Sequence, residues 1–236
     1  MADRKVKALV FDVFGTVVDW RTSVGREVDD LAAAKGWSVG GIEFAMRWRA
    51  LYQPSMAPIR KGEAPFRRLD DLHRDSLRKV LDEFGVTLDD GELEYLNRVW
   101  HRLHPWPDSV PGLTRLKKKY ILATMSNGNV SLMVNMAKFA GLPWDMILGS
   151  EPAQSFKPNP KVYLTGADWL GLEPAEVLMT AAHNSDLQAA RDLGFGTAFI
   201  LRPTEYGPEQ HKDTEAESDW DYIVDNMEEL ADRLGA

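Results

Sequence analysis

Four short segments of the chain carry side chains that could do chemistry. The first is Asp12-Val13-Phe14-Gly15-Thr16. A carboxylate at the end of an apolar run is costly to bury unless it is hydrogen-bonded or used, and carboxylates can act as nucleophiles that form covalent intermediates. The second is Ser126-Asn127-Gly128, which could offer a hydroxyl and backbone N–H groups to an anion. The third is Phe156-Lys157-Pro158-Asn159-Pro160. A lysine just ahead of two prolines has few conformations to lose, and its fixed charge beside a carboxylate keeps that carboxylate ionised. The fourth is His183-Asn184-Ser185-Asp186. Each segment also has a plainer use. Asp12 can cap a turn, Ser126-Asn127-Gly128 can open a helix, Lys157 can be an exposed loop lysine, and Ser185 or Asp186 can be a helix N-cap.

Three of these segments follow short apolar, branched runs that read as buried strands. Residues 6–11 end at Asp12, Tyr120–Met125 ends at Ser126, and Val177–Ala181 ends just before His183. Further runs are Met146–Leu148, Thr197–Leu201 and Tyr222–Val224, and helical stretches fall at Val130–Ala140, Pro160–Leu170 and Leu187–Leu193. Strands alternating with helices predict an α/β fold with a Rossmann-like parallel sheet covered on both faces. In such sheets ligands bind at the carboxyl ends of the strands, where the polar segments sit.

Residues 20–105 read differently. They show helical periodicity and no good strand, with breaks at Gly36, Pro54, Pro58, Pro65 and Gly85. Leu69, Leu72, Leu77, Val80, Leu81 and Phe84 fall at helical spacing and read as core. The cluster Pro105-Trp106-Pro107 and Pro111-Gly112 marks the return to the sheet. The expected organisation is therefore an α/β core from residues 1–19 and 106–236, with a helical cap at 20–105 inserted after the first strand.

Composition narrows the function. The 236 residues are 44% hydrophobic and 27% charged, which suits a soluble globular protein. A net charge of −8 argues against a general nucleic-acid binder, which needs a positive field. The acidity is concentrated: residues 205–236 carry eleven acidic and two basic groups and read as a solvated surface, whereas residues 20–105 are balanced at fourteen of each. With no cysteine, thiolate metal sites, disulfides and a cysteine nucleophile are excluded, and a reducing cytoplasmic setting fits. No apolar run approaches the ~18 residues of a membrane helix.

The order of the four segments, separated by 114, 31 and 29 residues, together with the helical insert, resembles the haloacid dehalogenase superfamily over essentially the whole chain. Most members are phosphatases with a second aspartate two positions after the nucleophile, and here that position is Phe14. An aromatic residue there, Trp48-Arg49 in the insert, and Tyr163 six residues after Lys157 resemble the L-2-haloacid dehalogenases, which use no metal or other cofactor. The chain departs from that subfamily at Ala181, His183 and Ser185, where Ser, Asn and Trp are usual.

The resemblance implies a small anionic 2-halocarboxylate as substrate, no nucleic-acid or membrane partner, and a homodimer. Asp12 would displace halide to give an ester, which water then hydrolyses to the 2-hydroxy acid. Lys157 would keep Asp12 ionised. Ser126 and the backbone from Val13 to Thr16 would hold the substrate carboxylate, with Asn127 and Arg49 near the halide. Asp186, with His183, would position water, and Phe14, Trp48 and Tyr163 would form dry walls, with Asn184 beside them. The nearest rival is a magnesium-dependent phosphatase or phosphonate hydrolase of the same superfamily, in which Lys61 or Lys79 could form a Schiff base. A non-catalytic binding protein on the same fold is the other.

Overall fold

The computed structural model describes residues 5–236. The chain opens with β1 (Ala8–Phe11), whose four side chains are wholly buried. A tight turn leads to β2 (Val18–Asp19). Helices α1 (Trp20–Lys35), α2 (Gly41–Ala50), α3 (Tyr52–Arg60), α4 (Leu69–Phe84) and α5 (Asp90–Asn97) follow, then a 3-10 turn at Arg98–His101. β3 (His104–Pro105) closes this excursion by pairing antiparallel with β2. The remainder alternates: α6 (Ser109–Leu116), β4 (Ile121–Thr124), α7 (Val130–Ala140), α8 (Ser150–Ala153), α9 (Pro160–Trp169), β5 (Val177–Ala181), α10 (Asn184–Arg191), β6 (Gly196–Ile200), β7 (Tyr222–Val224) and α11 (Met227–Arg233).

The main sheet has the order β4-β1-β5-β6-β7, and every pairing in it is parallel. β1 is hydrogen-bonded on both sides, so the residue after it emerges at the middle of the sheet edge. The order reverses at β1: one connection leads to β4 and the chain later returns to β5 on the other side. That reversal leaves the crevice in which such sheets take ligands. The α/β reading of the sequence is borne out.

Several local expectations need correction. Met146–Leu148 makes only one bridge, Ala123 with Met146, and is no strand. Pro54 and Pro58 lie inside α3 and break nothing; Pro54 falls in the first turn, where a missing N–H is tolerated. Pro111 and Gly112 lie inside α6, where Gly112 allows close contact with Met227 of α11. The stretch 20–105 carries one two-residue strand, β3, whose partner β2 lies just before it. Its α4 leucines and Val80 are buried as expected, and Gly36 and Gly85 end α1 and α4.

Candidate active site

Asp12 follows β1, and its own backbone N–H donates to Thr180 of β5 at 3.0 Å. Its carboxylate is almost completely buried and has three polar neighbours. Lys157 Nζ donates to Oδ1 at 2.9 Å. Thr16 Oγ1 donates to Oδ2 at 2.9 Å, and its own oxygen accepts from Ala182 N. His183 Nδ1 stands 3.2 Å from the same Oδ2. Burial alone would raise the Asp12 carboxyl, but the Lys157 ammonium and His183 outweigh it and hold it well below the usual carboxylate range. The turn that presents these groups is clamped from behind. Arg202 Nε donates to Thr16 O at 2.9 Å while its guanidinium grips Asp108, and Trp106 Nε1 donates to Gly15 O at 2.8 Å.

Lys157 also bonds Asp186, so one ammonium bridges two carboxylates. Burial opposes its charge, yet Asp12 and Asp186 hold it above the ordinary lysine range. Its backbone is set by Asn127, whose Oδ1 accepts from Lys157 N at 2.8 Å and from Ser150 Oγ at 2.7 Å. The other Asp186 oxygen accepts from the Tyr163 hydroxyl at 2.5 Å. Burial and the Asp186 carboxylate push that phenol far up, so it remains a donor.

Above this cluster lies a cavity of about 330 Å³. Its walls include Asp12, Phe14, Asn127, Lys157, His183 and Asp186 from the sheet edge, and Arg49, Tyr52, Gln53 and Arg60 from α2 and α3. Arg49 is packed among aromatic faces, 4.0 Å over Tyr52 and 5.2 Å over Trp20, and one guanidinium nitrogen has no hydrogen-bond partner. Four arginine and lysine side chains, Arg49, Arg60, Lys157 and Lys212, line the cavity against two carboxylates. Such a site attracts a small anion.

The sequence-predicted residues divide into two groups. Asp12, Phe14, Arg49, Asn127, Lys157, His183 and Asp186 meet at the cavity. Thr16 and Tyr163 stand one contact behind, bonded to Asp12 and Asp186. Val13 and Ser126 are buried outside the cavity wall, and the Ser126 hydroxyl accepts from Gly128 N–H at 3.3 Å. Trp48 is not a wall: it packs on Trp100 and His73 inside the helical layer and donates to His73 O. Asn184 is turned away, bonding Asp213, Glu215, Glu217 and Trp220. Its job is to fold the 213–220 loop. Neither Ser185 nor Asp186 caps α10; His183 holds the N-cap position.

Sequence reasoning missed Glu205, Tyr52 and Arg60. Glu205 is 1% exposed, although it belongs to an acidic run read as solvated. It lies shortly after β6, at a strand's carboxyl end, and that position was the available signal. Asp213 of the same run is also buried.

The residues do not suit a magnesium site. Lys157 already stands between Asp12 and Asp186, the two carboxylates a cation would share, and Phe14 has no side-chain oxygen to add. Among the described residues no group of three or more His, Asp or Glu side chains is arranged to hold a metal. Lys61 and Lys79 are exposed and absent from the cavity wall. No helix among these residues is long and apolar enough to cross a membrane.

A parallel sheet with a buried, lysine-paired aspartate after its first strand defines a class of hydrolases, and the family model for haloacid dehalogenase-like hydrolases matches residues 6–194. The chain belongs to that family. Within it, the chain is similar to the defluorinating L-2-haloacid dehalogenase Rha0230: 51% identity, TM-score 0.96, with 98% of this chain and 96% of the other covered. It is likewise similar to the L-2-haloacid dehalogenase PA0810, at 47% identity and TM-score 0.95, with 98% and 99% covered. The (S)-2-haloacid dehalogenase 4A of Burkholderia cepacia is 28% identical over 234 residues, 96% of this chain and 98% of that one.

Proposed function

We propose that the chain hydrolyses the carbon–halogen bond of small 2-haloalkanoates, haloacetates or L-2-haloacids, through an ester on Asp12. The observation that carries this reading is an ionised, lysine-paired Asp12 on the cavity wall with Phe14, not a second acid, two residues on. A phosphomonoesterase needs a proton donor there; a halide leaves without one. Asp12 attacks the carbon that bears the halogen, and the halide departs with the bonding electrons. Arg49, Arg60 and Lys212 suit the substrate carboxylate and the departing anion. Water then attacks the ester carbonyl. Asp186 receives its proton, and the 2-hydroxy acid leaves. Residues 20–105 serve as a cap: Arg49, Tyr52, Gln53 and Arg60 close the cavity over the sheet edge.

The test is halide release, read with ion-selective electrodes, from fluoro-, chloro- and bromoacetate and both enantiomers of 2-chloropropionate. The protein is first dialysed against a chelator. Fluoroacetate belongs in the panel because a defluorinating protein is 51% identical to this chain. We expect halide release that survives the chelator, with the (S)-enantiomer preferred. Magnesium-dependent release of phosphate from p-nitrophenyl phosphate, with no halide release, would overturn the reading.

A further inference from the structure

Glu205 is a buried carboxylate that the mechanism above does not use. Its Oε1 accepts from Trp20 Nε1 at 2.9 Å, and its Oε2 faces His183 Nε2 at 2.9 Å. The other ring nitrogen of His183 faces Asp12 Oδ2 at 3.2 Å. The histidine therefore bridges two carboxylates, one after β1 and one after β6. Gly15 makes room for this bridge: a Cβ there would lie 2.1 Å from Glu205 Oε1, and its φ of +89° disfavours any side chain.

An ionised carboxylate only accepts hydrogen bonds. Both ring nitrogens of His183 face such oxygens, so both carry hydrogen and the ring is an imidazolium. It has no lone pair with which to take a proton from water, which leaves that task to Asp186. Burial opposes the charge, but Glu205 and Asp12 overcome it and hold the imidazole well above its ordinary value. The next charged groups are Arg49, which faces Glu205, and Lys157, which faces the opposite oxygen of Asp12.

The two Asp12 oxygens are therefore unlike. Oδ2 accepts from Thr16 and pairs with His183 Nδ1 at 3.2 Å, whereas Oδ1 has Lys157 alone. We propose that Oδ1 is the attacking atom, that Oδ2 becomes the ester carbonyl oxygen, and that His183, positioned by Glu205, forms with Thr16 the oxyanion site for hydrolysis of that ester. This rests on the dehalogenase reading above. In the first step the Oδ1–carbon bond forms and the carbon–halogen bond breaks, with the electron pair leaving on the halide. In the second, water oxygen bonds to Cγ, its proton passes to Asp186, and the carbonyl pair moves onto Oδ2. The carbonyl then re-forms, Cγ–Oδ1 breaks, the departing alkoxide takes the proton from Asp186, and the carboxylic acid left on Asp12 releases the water's second proton to solvent, which restores the carboxylate. Ester formation removes the negative charge opposite His183, and the tetrahedral intermediate restores it on the same atom. The imidazolium thus interacts more strongly with the second transition state than with the ester before it, which is the condition for catalysis.

The experiment is rapid-quench halide release and intact-protein mass spectrometry on wild type, His183→Gln, His183→Ala, Glu205→Gln and Glu205→Asp, with chloroacetate. In both His183 variants we expect a burst of about one chloride per site, a kcat lower by roughly 100-fold as for loss of one oxyanion donor, and accumulation of the Asp12 adduct. Glu205→Gln should move the alkaline limb of kcat to lower pH by at least about one unit, because the imidazolium loses its counter-ion. Glu205→Asp should restore much of that shift, which a merely structural role would not produce. His183 variants that turn over without a burst or adduct, or an alkaline limb unmoved in Glu205→Gln, would overturn the inference while leaving dehalogenation intact. A wild type that releases no halide would overturn the underlying reading, and the inference with it.

Discussion

Replacing Lys157 by methionine removes the cation that stands between Asp12 and Asp186 while leaving a side chain of similar length. At 2.9 Å from Asp12 Oδ1, and at an effective dielectric constant of about 20, the gross attraction is about 6 kcal/mol. At ~1.4 kcal/mol per pKa unit that corresponds to about four units on the Asp12 carboxyl. With the attraction gone, burial acts on Asp12 with only His183 and Thr16 to oppose it. The reactive form is the carboxylate, which is present above its folded pKa and lost as the pH falls through it. In wild type that loss lies far into acid. In Lys157→Met the acid limb of halide release should rise to roughly pH 5–8, so that activity lost at pH 6 partly returns at pH 9. Lys157→Arg keeps a charge and should keep the acid limb low even where its geometry lowers kcat. Removing one member of a buried ion pair also destabilises the fold, by about 3–5 kcal/mol, so each profile is taken at a temperature where circular dichroism shows the variant folded. An acid limb in Lys157→Met that coincides with wild type would refute the assignment of Lys157 as the group that keeps Asp12 ionised.

Four further outcomes are expected. Asp12→Asn should release no halide while its thermal unfolding stays cooperative. In a single wild-type turnover in heavy-oxygen water the label should enter Asp12 and not the product; label in the product would mean that water attacks the substrate directly. Asn184→Ala should lower stability by about 1–3 kcal/mol, the range for leaving buried partners unsatisfied, yet change kcat less than twofold, because its side chain holds the 213–220 loop and not the cavity. A large kcat loss in a folded Asn184→Ala protein would count against that placement. His73, stacked on Trp100 with neither ring nitrogen hydrogen-bonded, is pushed down to about 3 by burial. Between that value and about 6.5 the unfolded chain binds the extra proton, so stability falls as the pH drops through this window. His73→Phe should remove about 2 kcal/mol of the loss between pH 7 and pH 5, measured by urea unfolding; identical pH dependence in the two proteins would refute it.

The chemistry-bearing segments and the alternation of strands with helices were legible without coordinates. A carboxylate that ends a buried strand and polar groups at later strand ends are local patterns, and a parallel sheet necessarily brings strand ends together. Asp12, Asp186 and His183 were found in this way; Lys157 was found from its place beside Pro158, and Phe14 from its spacing two residues after Asp12. Tertiary structure decided which neighbours of a motif face inward. Trp48 and Arg49 are adjacent, but successive residues point about 100° apart on a helix, so one enters the aromatic core and the other the cavity. Asn184 and Asp186 likewise separate, the first to a loop and the second to Lys157. Glu205 shows the limit most clearly. It opens a stretch whose later charged members are mostly acidic and exposed, and its burial follows from β6 lying beside β5 and from Gly15 leaving a space 190 residues earlier in the chain. No local pattern records that a carboxylate there meets His183. Only the packing of strand ends determines which charges share one small, poorly solvated volume, and that sharing sets their ionisation.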